Sequence, residues 1–413
     1  MNKYFFRCIF CCMYLLGMQH SYAKVWPVGA QKMHKTIKSA ISLAAAGDTL
    51  LIDYGIYKEG NIVIDKSLVI LGKNYPILDG ENKNEILSVT ASHVVIKGLK
   101  LRNSGRAVMS DPGAIKMYEV GYVTIENNIL EDNFFGVYAQ YAKHCTIKNN
   151  IISASQKEEH QSGNGVHCWK SDSMLVIGNK ITGHRDGIYF EFVTGSLAWR
   201  NVSKNNLRYG MHFMFSHQNA YIGNYFKNNG AGVAVMFTKN VIMMNNTFEE
   251  SWGDAAYGVL FKELSDCYLS GNRFIRNTTG IFFDGTNRIT AEHNEFSENG
   301  WGMRMQANCT GSKILKNNFR GNTFDVATNG TLVLNEFDQN YWDKYEGYDL
   351  NRDNFGDIPF RPLSLFSVIV EKNPPAMLLY RSFMITLLDK SEKILPSLTP
   401  EDFIDHHPRM SAY

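Results

Sequence analysis

Short apolar runs opened by a glycine recur along the middle of the chain, and an asparagine often follows fourteen positions later. The regular pairs are Gly136/Asn150, Gly165/Asn179, Gly210/Asn224, Gly232/Asn246, Gly258/Asn272 and Gly280/Asn294, with Gly187/Asn205 and Gly302/Asn317 as looser versions. From Asn128 to Asn335 the repeat asparagines stand 18 to 29 residues apart. A recurrent spacing of this size predicts stacked structural repeats.

Each repeat unit is too short to bury a core alone and must stack on its neighbours. The alternating runs within a unit indicate two or three short strands joined by turns. We therefore predict an all-β fold, a right-handed parallel β-helix of the pectin-lyase-like solenoid type. The residue after each repeat glycine is apolar and should face inward: Val137, Val166, Ile188, Met211, Val233, Val259, Ile281 and Met303. Stacked asparagines at one turn should hydrogen-bond along the solenoid.

The two ends differ from the repeats. Apolar residues within Lys35–Ala46 have helical spacing, and Gly47 ends the run, which predicts a helix that caps the first coil. We expect a signal peptide over 1–23, an N-terminal cap and first strands over 24–62, and β-helix repeats over 63–340. A Trp- and Asp-rich loop should follow over 341–362, and a C-terminal tail over 363–413 serves as an amphipathic helix packed on the solenoid or as a docking arm.

The N-terminus has the features of a secretory signal: Lys3 and Arg7, then an apolar run from Ile9 to Met18, then small residues ending at Ala23. We expect cleavage near Ala23 and export to the periplasm. A formal net charge of +2 gives no reason to expect a nucleic-acid partner. The cysteines that would remain, Cys145, Cys168, Cys267 and Cys309, have no C-x-x-C spacing and indicate small core residues, with a disulfide left open.

Strand alternation places two columns of side chains on the outer face of the repeats. His212, Met214 and Met236 should form one small exposed patch there, with Glu191 and His167 one or two coils away. Thioether and imidazole groups together suit a soft metal such as Cu(I). Exposed methionines are also consistent with an apolar contact surface for a protein partner.

A second group of polar side chains follows the repeats: Asp349, Asn351, Asp353 and Asp357. Their spacing matches the first positions of an EF-hand-like calcium loop, although Asn354 replaces the usual glycine and Phe360 stands where the final Glu would be. A structural calcium site is one interpretation. A loop held by Asx turns and by packing of Trp342 is the other.

Parallel β-helices often carry polysaccharide lyases, hydrolases or epimerases, but the fold alone does not assign a function. Such chemistry needs clustered carboxylates with a basic group nearby. Here the acidic candidates Asp111, Asp186, Asp254 and Asp284 occupy scattered repeat positions. Glu191 beside His167 and the pair Arg185-Asp186 is the best remaining cleft, so a carbohydrate-active enzyme is kept as the alternative function.

Four stretches of the chain resemble NosD, the periplasmic maturation protein of nitrous oxide reductase. They are Gly183-His-Arg-Asp-Gly-Ile-Tyr-Phe, Arg208-Tyr-Gly-Met-His-Phe-Met-Phe-Ser-His, the block from Asn340-Tyr-Trp-Asp to Asp357-Ile-Pro-Phe-Arg-Pro, and Leu388-Asp-Lys-Ser-Glu-Lys-Ile-Leu-Pro-Ser-Leu-Thr-Pro. The last two are specific, because generic β-helix enzymes lack them.

The resemblance implies an accessory protein and not an enzyme. It would sit on an ABC transporter formed with NosF and NosY and help build the copper–sulfur site of nitrous oxide reductase, NosZ, with the lipoprotein NosL as copper donor. ATP hydrolysis would belong to NosF, since this chain has no phosphate-binding Gly-x-x-x-x-Gly-Lys-[Ser/Thr] motif. The implied roles are a docking scaffold and a transient copper carrier. A purely structural adaptor is a third option.

Overall fold

A computed structural model describes residues 23–106, 111–330, 334–394 and 403–413. It is a parallel right-handed β-solenoid of about 14 turns with few helices, as the repeat spacing predicts. A complete coil contributes one strand to each of three sheets, and every pairing between named strands in the described residues is parallel. The expected signal peptide falls almost entirely on residues 1–22, outside the described ranges.

Sheet A is the longest of the three. It consists of β1 Val25–Val28, β2 Thr49–Ile52, β5 Val69–Gly72, β8 Val95–Lys97, β11 Thr124–Glu126, β14 Thr146–Lys148, β17 Leu175–Ile177, β20 Leu197–Trp199, β23 Ala220–Ile222, β26 Ile242–Met244, β29 Tyr268–Ser270, β32 Thr290–Glu292, β35 Lys313–Leu315 and β38 Glu336–Asp338.

Sheet B follows the repeat asparagines. It consists of β3 Ile56–Tyr57, β6 Ile77–Asp79, β9 Lys100–Arg102, β12 Ile129–Glu131, β15 Ile151–Ser153, β18 Lys180–Thr182, β21 Val202–Lys204, β24 Tyr225–Lys227, β27 Thr247–Glu249, β30 Arg273–Ile275, β33 Glu295–Ser297, β36 Asn318–Arg320 and β39 Tyr341–Trp342.

Sheet C contains the repeat glycines and carries the candidate site on its outer face. It consists of β4 Ile62–Ile64, β7 Leu87–Val89, β10 Gly113–Tyr118, β13 Phe135–Gln140, β16 Val166–Trp169, β19 Asp186–Glu191, β22 Tyr209–Met214, β25 Ala231–Met236, β28 Tyr257–Lys262, β31 Thr279–Asp284, β34 Trp301–Met305 and β37 Phe324–Ala327.

The core fills the space between the three sheets, and side chains at the same position of successive repeats stack there in columns. The predicted inward column after the glycines is fully buried from Val137 to Met303. In sheet B, aromatic rings stack from Phe226 to Trp342 with centroids 4.2 to 5.4 Å apart. The repeat glycines are needed because the coils approach closely: a Cβ at Gly210 would lie 2.6 Å from the carbonyl oxygen of Gly232.

The predicted asparagine ladder is present before sheet B. In each rung the Oδ1 atom accepts hydrogen bonds from the backbone N–H and the Nδ2 of the preceding rung, at about 3 Å. Its members are Asn128, Asn150, Asn179, Asn201, Asn224, Asn246, Asn272, Asn294, Asn317 and Asn340. The sequence analysis placed Asn205 and Asn335 in this column, and both assignments are wrong: Asn201 and Asn340 occupy those rungs.

The first coil is covered by helix α1, Ile37–Leu43, which buries Ile37, Ala40 and Ile41 against the first strands. Thr36 caps the helix by accepting a hydrogen bond from the N–H of Ser39. The helix is shorter than the apolar spacing suggests, because the chain is already extended at Ala44.

The last coil is covered by the end of the chain. Asp405 accepts hydrogen bonds from the N–H and Nδ2 of Asn340, and so it takes the place of the next rung of the ladder. The same Oδ2 atom accepts from Trp342 Nε1 at 2.9 Å. Residues 403–413 therefore terminate both the hydrogen-bond ladder and the core.

Helices α2, Leu365–Lys372, and α3, Phe383–Ile394, lie between the loop and this terminal segment, joined by a 3-10 helix over Pro374–Leu379. A further 3-10 turn covers Glu159–Gln161. Helix α2 packs against the outer face of sheet C, where Arg304 pairs with Glu371 at 2.7 Å. None of the helices in the described ranges is long and apolar enough to cross a membrane.

Candidate functional site

The outer face of sheet C carries the residues singled out from the sequence. One row of outward side chains crosses successive strands through Glu191, Met214 and Met236, which are register partners on β19, β22 and β25. Trp169 precedes this row and Lys262 follows it. All three central residues are half-buried. The two thioethers are thus brought to adjacent strands, about 4.8 Å apart along the stack.

The two histidines lie on the same face, in the row that runs Tyr138, His167, Tyr189, His212. Their expected exposure is wrong, since only 8% of His167 and 6% of His212 is accessible. The cause is ring stacking: His167 lies between Tyr138 and Tyr189 at 4.5 and 4.8 Å, and Tyr189 stacks on His212 at 4.6 Å. Burial lowers the pKa of His167 to about 3, so its ring is neutral at neutral pH.

A buried ion cluster adjoins His212. The Asp186 carboxylate accepts a two-point hydrogen bond from Arg208, Nε to Oδ1 at 2.9 Å and Nη2 to Oδ2 at 2.5 Å. Arg185 and His212 lie 3.8 and 3.7 Å from the same Oδ2 atom. Although burial alone would raise the pKa of Asp186, the nearby His212 ring and the hydrogen bonds and charge of Arg208 hold that pKa at about 2.

An aromatic edge borders the methionines. Phe192, Phe215 and Phe237 stack at 5.1 and 5.0 Å on consecutive coils, one position after the row of Glu191, Met214 and Met236. All three have positive φ angles of 51 to 55°, an uncommon conformation for a bulky side chain. Together, Phe192, Met214, Phe215, Met236 and Phe237 form a half-exposed apolar strip, which we call the Met–Phe strip.

The geometry of this face suits contact and soft-ligand chemistry better than acid–base chemistry. Two thioether sulfurs on neighbouring strands can bind a soft cation, and Met214 Sδ also accepts a 3.7 Å contact from the Tyr189 hydroxyl. Glu191 has Trp169 and Met214 as its row neighbours, so this row places no second carboxylate next to it. In the described residues no three His, Cys, Asp or Glu side chains are grouped to hold a metal ion.

The loop after the repeats uses its polar side chains on its own backbone. Asp349 accepts from the N–H groups of Asp353 and Asn354, Asn351 accepts from Asp353, and Asp353 accepts from Phe355. Asp357 accepts from the N–H of Leu350. Trp342 is buried and stacks on Phe319 at 4.2 Å. This arrangement favours the Asx-turn interpretation over the calcium loop.

The thiols of Cys145, Cys168, Cys267 and Cys309 are free and buried. Burial raises the pKa of Cys267 to about 11, which keeps this thiol protonated. The cysteines therefore serve the core, as the sequence indicated.

Sequence reasoning missed three features of this face. It named Arg185 and Asp186 beside Glu191 but passed over Arg208, although both arginines stand two positions before a repeat glycine, which is a usable signal. It also missed the phenylalanines, which stand five positions after successive repeat glycines, and a second, shorter ladder that includes Asn206, Asn229, Asn277, Asn299 and Asn322.

Comparison with known proteins agrees with this architecture. Residues 154–352 match the family model described as "Periplasmic copper-binding protein (NosD)", and residues 54–163 match "Right handed beta helix region". Over 372 residues the chain is 28% identical to the "Probable ABC transporter binding protein NosD" of Pseudomonas aeruginosa, covering 85% of this chain and 86% of that protein. The protein of the same name from Stutzerimonas stutzeri is 25% identical over 373 residues, covering 85% and 84%.

Solved structures show the same fold at low identity. The catalytic unit of a GH87 α-1,3-glucanase from Streptomyces thermodiastaticus superposes with a TM-score of 0.61 at 13% identity, covering 79% of this chain and 70% of that one. The A-module of the mannuronan C-5 epimerase AlgE6 of Azotobacter vinelandii gives 0.51 at 13%, covering 74% and 93%. The fold thus defines a parallel β-helix protein. The family match and the named relatives make the chain a NosD-like protein.

Proposed function

We propose that this chain is a periplasmic accessory protein of a NosDFY-like ABC transporter, and that it helps assemble the copper–sulfur site of nitrous oxide reductase. The observation that carries the proposal is the similarity over 85% of the chain to relatives named as ABC transporter binding proteins. The description of the matching family as periplasmic and copper-binding supports it. On this proposal the chain is not an enzyme, and its signal peptide is cleaved near Ala23.

The C-terminal helices supply the surface for docking on the transporter. Helix α3 is anchored by Ile385, which packs in a small apolar cluster with Phe324 and Phe366. Leu378 of the 3-10 helix and Phe383 and Met384 of helix α3 are at least 66% exposed. Side chains of this kind suit an apolar protein surface such as that of a membrane subunit. The partners are subunits resembling NosF and NosY, a copper donor resembling NosL, and nitrous oxide reductase, NosZ.

Copper is cargo in this proposal, and the Met–Phe strip is its transient contact. Met214 and Met236 provide two soft sulfur ligands on neighbouring strands, and Glu191 flanks them. His167 and His212 are packed within the ring stack at 8% and 6% exposure, so in this proposal the methionines and not the histidines contact a docked donor. The calcium interpretation of Asp349, Asn351, Asp353 and Asp357 has no part in this function.

A complementation experiment tests the proposal. The gene is deleted in its host and returned as the parent sequence, as Met214→Leu/Met236→Leu, or as the control Met33→Leu/Met410→Leu, which changes two methionines away from the strip. We expect nitrous oxide reductase to lose copper and activity in the deletion, to recover with the parent and control, and to recover poorly with the first variant. Full reductase copper content in the deletion strain would contradict the accessory role.

The alternative, a carbohydrate-active enzyme, is tested on the same face. It predicts lyase, hydrolase or epimerase activity on acidic glycans that disappears in Glu191→Gln. Because Glu191 lacks a neighbouring carboxylate in its row, we expect no turnover across a panel of polyuronates. Activity that depends on Glu191 would replace the accessory function with an enzymatic one.

A further inference from the structure

Two arginines on consecutive coils open the outer face of sheet C beside the histidine row. Arg185 directly precedes β19, and Arg208 directly precedes β22. The N–H of Arg208 donates to the carbonyl oxygen of Arg185 at 2.8 Å, so the two residues are neighbours in the stack. Each of the two arginine side chains is 33% exposed and is therefore partly reachable from solvent.

One carboxylate serves both arginines. Asp186 is completely buried and bonded at two points by Arg208. The Arg185 Nε is 3.8 Å from Asp186, which is too long for a hydrogen bond, and in the described residues this buried atom has no hydrogen-bond partner. The group of Arg185, Asp186 and Arg208 thus carries one positive charge in excess, with Arg185 as its unsatisfied member.

Unsatisfied nitrogens of two histidines lie on the same face. His212 approaches the Asp186 carboxylate through Nδ1, and its Nε2 is buried with no partner in the described ranges. The Nε2 of His167 is likewise buried and unpartnered, while its Nδ1 lies 3.5 Å from the amide nitrogen of Asn164. With Nδ1 accepting from that amide, Nε2 carries the proton and is a donor. Leaving the Nε2–H group of His167 unpaired is costly, and a ligand that accepts hydrogen bonds would remove the cost.

The other charges around Arg185 do not neutralise it. Asp111 lies nearby, but the described residues show no ion pair between the two. Lys116 lies further along the histidine row, and its ammonium group is 4.0 Å from the carboxylate of Glu85. This pair of opposite charges therefore adds no net charge beside Arg185. Tyr189 and Tyr209 flank His212, with ring centroids 4.6 and 4.9 Å away, and wall this position with aromatic surface.

We propose that Arg185, beside the buried ring of His167, forms a binding site for a small anion, either a carboxylate or a tetrahedral oxyanion. The planar guanidinium offers paired donors that match both groups. The anion could be an inorganic oxyanion or the carboxylate of a sugar acid, and these share the same contacts. This site is separate from the Met–Phe strip and does not depend on copper transfer.

The test is a calorimetric titration of the mature chain, residues 24–413, with sulfate, phosphate and galacturonate at constant ionic strength in chloride. We expect saturable binding of at least one of them at a single site. Arg185→Gln should weaken that binding at least tenfold. Arg200→Gln is the matched control, because it removes the same charge at a different place. Arg200 is exposed, directly follows β20 of sheet A and stacks on Trp199.

Three outcomes would overturn the site. They are no saturable binding of any probe by the parent, equal weakening by Arg185→Gln and Arg200→Gln, or full affinity in Arg185→Gln. Arg185→Lys keeps the charge and serves if Arg185→Gln does not fold, and we expect it to bind more weakly than the parent because it lacks the paired donors. Binding of sulfate or phosphate alone identifies an oxyanion ligand, and binding of galacturonate alone identifies a carboxylate. Copper titrations of the same variants separate this site from the proposed function, because we expect the Arg185 variants to bind copper as the parent does.

Discussion

At the scale of single residues, the asparagine ladder shows how far a repeat pattern reaches. Asn201 lies fourteen positions after Gly187, so the regular spacing includes it, whereas Asn205 is four residues beyond and exposed. The Asn201 amide accepts from the N–H and Nδ2 of Asn179 and donates to Val176 and Asn224. The looser assignment failed because asparagines are frequent on both sides of this turn and only the exact register separates them.

We expect Asn201→Ala to lower the free energy of unfolding by about 3 kcal/mol, since it leaves several buried backbone and amide groups without partners. The apparent Tm should fall by roughly 5 °C, measured by circular dichroism. Asn205→Gly is the control, because glycine tolerates the positive φ of 54° at that position and the side chain is exposed. An equal loss from both substitutions would contradict the ladder.

The burial of His167 and His212 could not be read from alternation. Alternation places both side chains outward, and the structure confirms that direction. Their burial comes from aromatic neighbours on the coils before and after, and the pairing of Asp186 with Arg208 reinforces it at His212. Sequence spacing predicts the direction in which a side chain points, but it does not predict how far neighbouring side chains cover it.

At the scale of elements, the loop after the repeats behaves as a self-supporting turn. Its acidic side chains accept from the loop's own N–H groups, which leaves them no need of a cation for hydrogen-bond satisfaction. The sequence pattern alone left calcium and Asx turns open, because the same oxygen-rich residues serve both.

We expect EDTA and calcium to leave the apparent Tm of the protein unchanged within about 1 °C, since a cation that does not bind the folded state preferentially adds no stability. Asp349→Ala should lower the Tm, because it removes the acceptor for the N–H groups of Asp353 and Asn354. A calcium-dependent rise of several degrees that is lost in Asp349→Ala would support the calcium site instead.

The terminal segment is the element that the sequence described least well. The sequence predicts a tail over 363–413, but nothing in the repeat indicates that Asp405 returns to the last rung of the ladder. This is a contact between residues 65 positions apart, from Asn340 to Asp405, outside any periodic pattern. Burial raises the pKa of the Asp405 carboxyl despite its hydrogen bonds from Trp342 and Asn340.

The raised pKa has a definite sign for stability. The contribution of Asp405 is largest when the carboxyl is protonated and is lost as the pH rises through its folded-state pKa. We therefore expect Asp405→Asn, which keeps an acceptor oxygen without the charge, to gain stability relative to the parent over that rise. Thermal unfolding of both proteins from pH 3 to pH 8 measures the difference in stability. We expect the two proteins to be about equally stable at the acid end of this range. A difference that shrinks as the pH rises would contradict this account of the cap.

At the scale of the whole molecule, the solenoid presents one long face with distinct zones. The ion cluster of Arg185, Asp186, Arg208 and His212 lies on the outer side of sheet C together with the Met–Phe strip. Helix α2 packs on the same sheet nearer the C-terminus. The repeat predicted the solenoid, the inward column and the direction of this face. What occupies each zone depends on insertions, ring packing and the return of the terminus, which vary from coil to coil.

The most direct test of the account is an anaerobic Cu(I) competition titration of residues 24–413, with Met214→Leu/Met236→Leu and Met33→Leu/Met410→Leu beside the parent. We predict that the parent and the Met33/Met410 control bind one Cu(I) and that the strip variant binds it at least tenfold more weakly, with unchanged circular dichroism. Equal binding by all three proteins, or none by the parent, would contradict the Met–Phe strip as the point where copper is handed over.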